Sequence, residues 1–518
     1  MSYETRLYET AVARMFALGH ELANTPAHKF DLVHMRVLLE ALDRPERRFP
    51  AVLIAGTNGK GSTAATLASI LRASGLRTGL YTSPHLVRIN ERIRIDGKEI
   101  GDQEFALLHD LVDGTAERLL SESELPWHPS FFEMLTAIAF EHFARQDVDI
   151  AVLEVGMGGR LDATNVVEPL VSVITDISLD HQKFLGETVA EIAREKAGII
   201  RPGGIVVTLP QQPQANDVIG NTILELGAHG VSAVPYVPPV SPASEQYLAT
   251  GDALTAESAK YAEKNFTGQP SGETGTAKIE LADKRREHVA YGVSRGLEEH
   301  HDQIPKGREN SRATSLPSPY LSRYLLQVMG KQILVETPLL GRHQLRNVAL
   351  AIAAAEELSK QGFTITADSI ERGIRETHWP GRFQVVPAND PMPECVFDVG
   401  HNPAGAWALR SALSSAYQDR PLTFVFGAMR DKAIAEMAEI LFPLAEHVIA
   451  THAENPRSAT PQEIRDAAAR VSAEIEDAPD VPSALERARV LAGPEGLVVI
   501  TGSMYVVGEA MRALNVRI

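Results

Sequence analysis

The stretch AGTNGKGST, Ala55–Thr63, sets a lysine and a serine among glycines, directly after the apolar run Ala51–Ile54 and before a helix-compatible segment. Strand, glycine-rich turn and helix make the context in which backbone N–H groups cradle phosphate and a helix N-terminus favours negative charge. Lys60 can neutralise β- and γ-phosphates, and the Ser62 or Thr63 hydroxyl lies near enough for Mg²⁺. The spacing is not G-x-x-x-x-G-K-[ST]: two residues separate Gly56 from Gly59, and Gly61 stands between Lys60 and Ser62. Alone, the loop says ATP or GTP; the plain alternative is a turn with an incidental lysine.

Other chemistry-bearing residues fall at comparable places. Ser83 opens TSPHLVRINERIRIDG (82–97) at a strand end, although a charged β-hairpin explains that stretch as well. Glu154 ends the apolar strand of AVLEVGMGGRLDATNV, where a carboxylate suits Mg²⁺ as a hard oxygen ligand. ITDISLDHQKFLGETVAEIAREKAGII brings Asp180, His181 and Lys196. His181 gains weight beside two other candidates for a metal edge, whereas Lys196 on its amphipathic helix reads as a solvated lysine. Further on, FDVGHNPAGAWAL ends a strand with Asp398 and His401, and GAMRDKA, THAENPRSAT and TGSMYVVGE occupy matching strand-end loops.

Short apolar runs at 51–56, 78–83, 150–156, 170–177 and 204–209, with helical patterns at 63–74, 131–144 and 188–197, predict a doubly wound α/β domain on a parallel sheet. Segment 240–319 is rich in Gly, Pro, Ser, Thr and charge; it cannot bury enough surface to offset ordering, and a long mobile insertion is expected. A β-hairpin pattern, YLLQVM and KQILVETPLLG, and the helical RNVALAIAAAEELSKQG follow. A second α/β unit begins near HWPGRFQVV, with strands at 395–400, 422–429, 447–453 and 497–503. Pro380 and Gly381 mark a hinge. The expected division is 1–379 and 380–518, with the active site in the cleft between them.

A chain of 518 residues points to two or three domains, and 44% hydrophobic residues suit sizeable cores. A formal charge of −17 argues against non-specific nucleic-acid or anionic-membrane binding. The single cysteine, Cys395, excludes an intramolecular disulfide framework and fits a reducing compartment. No apolar run approaches the roughly 20 residues of a membrane helix, and MSYETRLYETAVARMF lacks a secretory core. A cytoplasmic protein is expected.

The stretches GTNGKGS, TSPHL with INERI, FFEMLTAIAF, LEVGMGGRLDATN, DH followed by LG, EKAGI, GRHQLRN, PGRFQ and DVGHNP resemble, in content and order, the folylpolyglutamate synthase/dihydrofolate synthase family of Mur-ligase-like ATP-dependent amide synthetases. In that family the compact loop with glycine between lysine and serine is the ordinary form. The resemblance implies that Thr57, Asn58, Gly59, Lys60, Gly61 and Ser62 hold ATP phosphates, with Asn347 and Arg382 also contacting nucleotide. It implies Ser83 and Glu154 as Mg²⁺ ligands, His181 as ligand of a second Mg²⁺, and Lys196 as a carbamate, which displaces the surface reading. Asp398 and His401 would receive L-glutamate, with Ser503 and Tyr505 finishing that pocket. The implied reaction joins glutamate to dihydropteroate or reduced folates through an acyl phosphate, in a monomer. DVGHNP departs from the family's usual DGAHNP, and residues 28–50 match loosely. A Mur ligase acting on a UDP-sugar peptide and a non-catalytic nucleotide-binding paralogue are the alternatives.

Overall fold

The computed structural model describes residues 3–19, 32–239, 321–389 and 391–516; segment 240–319 lies outside them. The first sheet is built from β1 (Ala51–Ala55), β2 (Thr78–Tyr81), β3 (Ile93–Ile95), β4 (Lys98–Glu99), β5 (Ile150–Glu154), β6 (Pro169–Ile174), β7 (Ile205–Thr208) and β8 (His229–Ser232). Their spatial order is β4-β3-β2-β5-β1-β6-β7-β8. β1 and β5 are buried along their whole length, as apolar strands covered on both faces must be. The sheet is parallel from β2 through β8, but β3 and β4 run antiparallel at its edge. Asp96 and Gly97, at φ +52° and +79°, turn the chain back between them; a hairpin needs only such a turn, where a parallel connection needs a crossover.

Helices cover both faces. Lys60–Ala73, Arg342–Lys360 and Ala367–Arg375 pack on one side with β9 (Ser322–Val328) and β10 (Lys331–Thr337), an antiparallel hairpin turning at Met329–Gly330. Helices Asp102–Ser121, Phe131–Arg145 and Val189–Ala197 contribute to the core on the other. The helix expected at 63–74 begins at Lys60 itself, so its N-terminus belongs to the glycine loop.

The second sheet comprises β11 (Gln384–Val386), β12 (Glu394–Phe397), β13 (Leu422–Phe426), β14 (His447–Ala450), β15 (Ile475–Asp477) and β16 (Leu497–Thr501), in the order β11-β12-β16-β13-β14-β15. All but β11 are parallel. The chain is thus a two-lobed α/β protein. Cys395 lies buried in β12. Among the described residues no helix is long and apolar enough to cross a membrane.

Candidate active site

β5, β1 and β6 are neighbours, and their C-terminal ends deliver three loops to one place, where parallel sheets bind ligands. The loop after β1 is tied to the one after β6. Thr57 and Asn58 N–H donate to the Asp176 carbonyl at 2.8 and 3.2 Å, and the Thr57 hydroxyl donates to the Ser178 carbonyl at 3.0 Å. Gly59 has φ +87°, and a Cβ there would stand 2.1 Å from Asn347 Oδ1, so glycine is required twice over. Asn347 is buried on helix Arg342–Lys360, held at 2.9 Å by Gln344 Oε1. Ser62 is buried in the first turn of its helix.

Two amines converge on this loop. Lys60 Nζ donates to the carbonyls of Gly56 and Thr57 at 3.1 and 3.2 Å, and Lys196 Nζ donates to the same Gly56 carbonyl at 2.7 Å. Lys196 is buried, not solvated as its helix pattern suggests. Burial, with the Lys60 charge second, pushes its pKa down to about 7.

Glu154 ends β5 with its carboxylate buried, and its Oε2 accepts the Ser83 N–H at 3.1 Å. His181 opens the short helix Gln182–Leu185 with φ +51°. Burial above all pushes its imidazole down to about 4, so it is neutral near pH 7 and keeps a lone pair for a metal or a proton donor. Among the described residues no three His, Cys, Asp or Glu side chains gather as a metal cage. A cation here would draw ligands from solvent and bound phosphate as well, which is the habit of Mg²⁺.

The second sheet faces this edge with its own strand ends. After β12, Asp398 accepts the Phe383 N–H at Oδ2 (2.9 Å) and the Gly400 N–H at Oδ1 (2.8 Å), fixing the turn that carries His401. His401 Nδ1 lies 3.0 Å from the Val399 carbonyl, and its Nε2 lies 3.8 Å from Asp180. After β16, Ser503 caps helix Met504–Ala513 and accepts the Tyr505 N–H at 3.2 Å. Arg382 follows Pro380 and Gly381; burial lowers its pKa, partly opposed by Asp398 and Glu154.

Further contacts join the lobes. Asn402 Nδ2 donates to Asn58 Oδ1 at 3.0 Å, and Lys432 Nζ sits 2.8 Å from Asp180 Oδ1, both side chains about one-tenth exposed. Burial opposes charge on Asp180, but the His401 contact, His181 and Lys432 outweigh it and hold its pKa far below the usual value. Lys432 was not singled out from the sequence, although its loop, GAMRDKA, was; nothing local marks the aspartate far upstream that it meets.

A cavity of about 800 Å³ runs between the lobes, and every site residue expected from the sequence lines it. Also lining it are His343 and Arg346, and an apolar recess with Phe131, Phe132 and Met35. Arg346 is tied to Asp176 at 2.7 Å.

A phosphate-type loop on one α/β lobe facing strand-end polar groups on a second is the layout of a Mur-type ligase. Residues 131–229 match the Mur ligase middle domain and 381–504 the Mur ligase glutamate ligase domain. A dihydrofolate synthase/folylpolyglutamate synthase of Bacillus subtilis is 31% identical over 488 residues, covering 93% of this chain and 95% of that protein. A probable bifunctional folylpolyglutamate synthase/dihydropteroate synthase of Haloferax volcanii is 33% identical over 478 residues; the chain spans only 47% of that longer relative. Among solved structures, Mycobacterium tuberculosis folylpolyglutamate synthase complexed with ADP aligns with a TM-score of 0.74 and 27% identity, over 99% of both chains. A folylpolyglutamate synthase complex with AMPPCP and folate aligns at 0.70 and 28%, over 98% of this chain and 99% of that one. The chain belongs to the folylpolyglutamate synthase/dihydrofolate synthase family, whose members are ATP-dependent acid–amino-acid ligases.

Proposed function

We propose that this protein joins L-glutamate to a pterin carboxylate at the expense of ATP, acting both on 7,8-dihydropteroate and on reduced folylpolyglutamates. One observation carries the reading: the anion-neutralising groups of one lobe, the strand-end polar groups of the other and the apolar side chains of Phe131, Phe132 and Met35 all line one cavity. The backbone of Thr57–Ser62 and Lys60 hold the ATP phosphates, and Asn347 and Arg382 contact the nucleotide. The substrate carboxylate attacks the γ-phosphorus, ADP leaves, and an acyl phosphate remains; Lys60 and Arg382 stabilise the charge that develops. The amine of glutamate then attacks the acyl carbon, loses a proton and expels phosphate. Asp398 and His401, with Ser503 and Tyr505, form the glutamate side. Asp398 acts largely through the turn that its two backbone hydrogen bonds hold.

Glu154 with the Ser83 hydroxyl fits one Mg²⁺, and neutral His181 fits a second. Mg²⁺ there would supply charge neutralisation on the phosphates. Lys196, with a pKa near 7, carries enough neutral amine at pH 7 to add CO₂ and release a proton, giving a carbamate that would present oxygen to the second cation. Closure of residues 1–379 on 380–518 would exclude water from the acyl phosphate. The assay mixes protein, ATP, Mg²⁺, glutamate and either dihydropteroate or tetrahydrofolate. Glutamate-dependent ADP release is expected with each; release with neither, or only with a UDP-sugar peptide, would overturn the reading.

A further inference from the structure

The loop's departure from the common phosphate motif, Gly61 after Lys60, has a physical cause far along the chain. A Cβ on Gly61 would stand 2.7 Å from Cζ2 of Trp379 and 3.2 Å from its Nε1, closer than side-chain carbons pack. The indole therefore lies directly on the first turn of the phosphate-loop helix. Arg382 Cζ sits 6.0 Å from the centre of the same ring, and buried Arg94 sits 5.7 Å from it. Both distances are in the range where a guanidinium is attracted to an aromatic ring.

Beyond the longer-range pull of Asp398 and Glu154, Arg382 has few direct contacts. Among the described residues it forms no ion pair, and its one hydrogen bond is to the neighbouring Gly381 carbonyl at 3.3 Å. Among the described residues the buried indole N–H has no acceptor. Leaving that donor unpaired carries a cost that a phenylalanine or leucine filling the same space would not incur. A flat ring wedged between a helix N-terminus and a cation suits orientation better than space-filling.

From this geometry we infer that Trp379 is a positioning residue: its ring fixes the Arg382 guanidinium relative to the Lys60 helix, and Gly61 is the notch that admits the ring. The inference rests on the proposed reading for what Arg382 does, whereas the placement of the ring can be tested without turnover. In a background of Trp127→Phe and Trp407→Phe, Trp379 is the only tryptophan left. Saturating AMPPCP should shift its emission, and Arg382→Ala, at AMPPCP concentrations that calorimetry shows to saturate that variant, should abolish the shift. An unchanged shift in that variant would sink the coupling, whether or not the protein ligates glutamate.

In turnover, Trp379→Leu should lower kcat about 30-fold while leaving the glutamate KM and the ADP affinity within about threefold, because a displaced guanidinium still reaches bound nucleotide but is misplaced for the charge that develops on the transferring phosphoryl group. Gly61→Ala should match it by pushing the ring aside. The double variant should be no worse than either single one, since both remove the same contact. Trp379→Phe, which keeps a ring, should recover to within about fivefold of the unaltered protein. Multiplying losses, a phenylalanine variant as poor as leucine, or a lower melting temperature with unchanged kcat would each leave Trp379 as core packing only.

Discussion

The two sheet edges that face the cavity are organised in opposite ways. At the end of β1 the charged groups themselves are drawn in: half-buried Lys60 and buried Lys196 both lie against the Gly56 carbonyl, and Glu154 is buried at the end of β5. At the end of β12 the buried charge, Asp398, is turned inward on the backbone, while His401 is left two-fifths exposed toward the gap. One edge concentrates charge where a polyanion would sit; the other holds a frame from which side chains reach out. Groups that neutralise phosphate gain strength from exclusion of water, whereas groups that deliver an amine must stay accessible.

The sharpest way to break this contrast is at the charge-storing edge. Glu154→Gln should lower kcat/KM by about 10³-fold while the circular-dichroism spectrum and melting temperature stay near those of the unaltered protein. Near-normal turnover would remove Glu154 from the reaction. At the frame edge the expected effect is mixed. Asp398→Ala orphans two backbone N–H groups, and should cost about 2–4 kcal/mol of stability in urea melts together with about 10²-fold in kcat, leaving ADP affinity unchanged by calorimetry. A stable variant with only a raised glutamate KM would make Asp398 a direct ligand instead.

The smallest effect concerns proton storage. Lys196 has an ordinary value of 10.5 and is pushed down to about 7 in the fold. Between those values the unfolded chain binds more protons than the folded one, so this group makes stability rise with pH across that window; below pH 7 the full cost of the buried ammonium remains. Lys196→Met should therefore raise the melting temperature by a few degrees at pH 6, with the gain fading toward pH 10. If ¹³CO₂ gives a carbamate resonance that this variant lacks, the amine is modified and the window should narrow as CO₂ is added.

Much of this layout was legible because backbone constraints are local. Apolar runs gave the buried strands of both sheets, and strand–glycine–helix order gave the phosphate loop. The antiparallel edge of the first sheet was legible only as an open reading, a charged β-hairpin over 82–97, and β11 escaped notice, because β3, β4 and β11 are only two or three residues long and leave little periodicity. The burial of Lys196 was hidden as well: an amphipathic pattern shows which residues share a face, but not that the Gly56 carbonyl waits beside one end of it. The pairing of Asp180 with Lys432, and of Gly61 with Trp379, depends on how distant segments meet, and no residue near either partner reports it.

Cys395 has a practical consequence. Burial above all pushes its thiol pKa up to about 12, so almost no thiolate exists at neutral pH and maleimides or iodoacetamides have nothing to attack. The chain is in effect cysteine-free to such reagents while folded. Any cysteine placed on either lobe would become its sole labelled position, so paired dyes or spin labels could follow the approach of the lobes without first removing a native side chain.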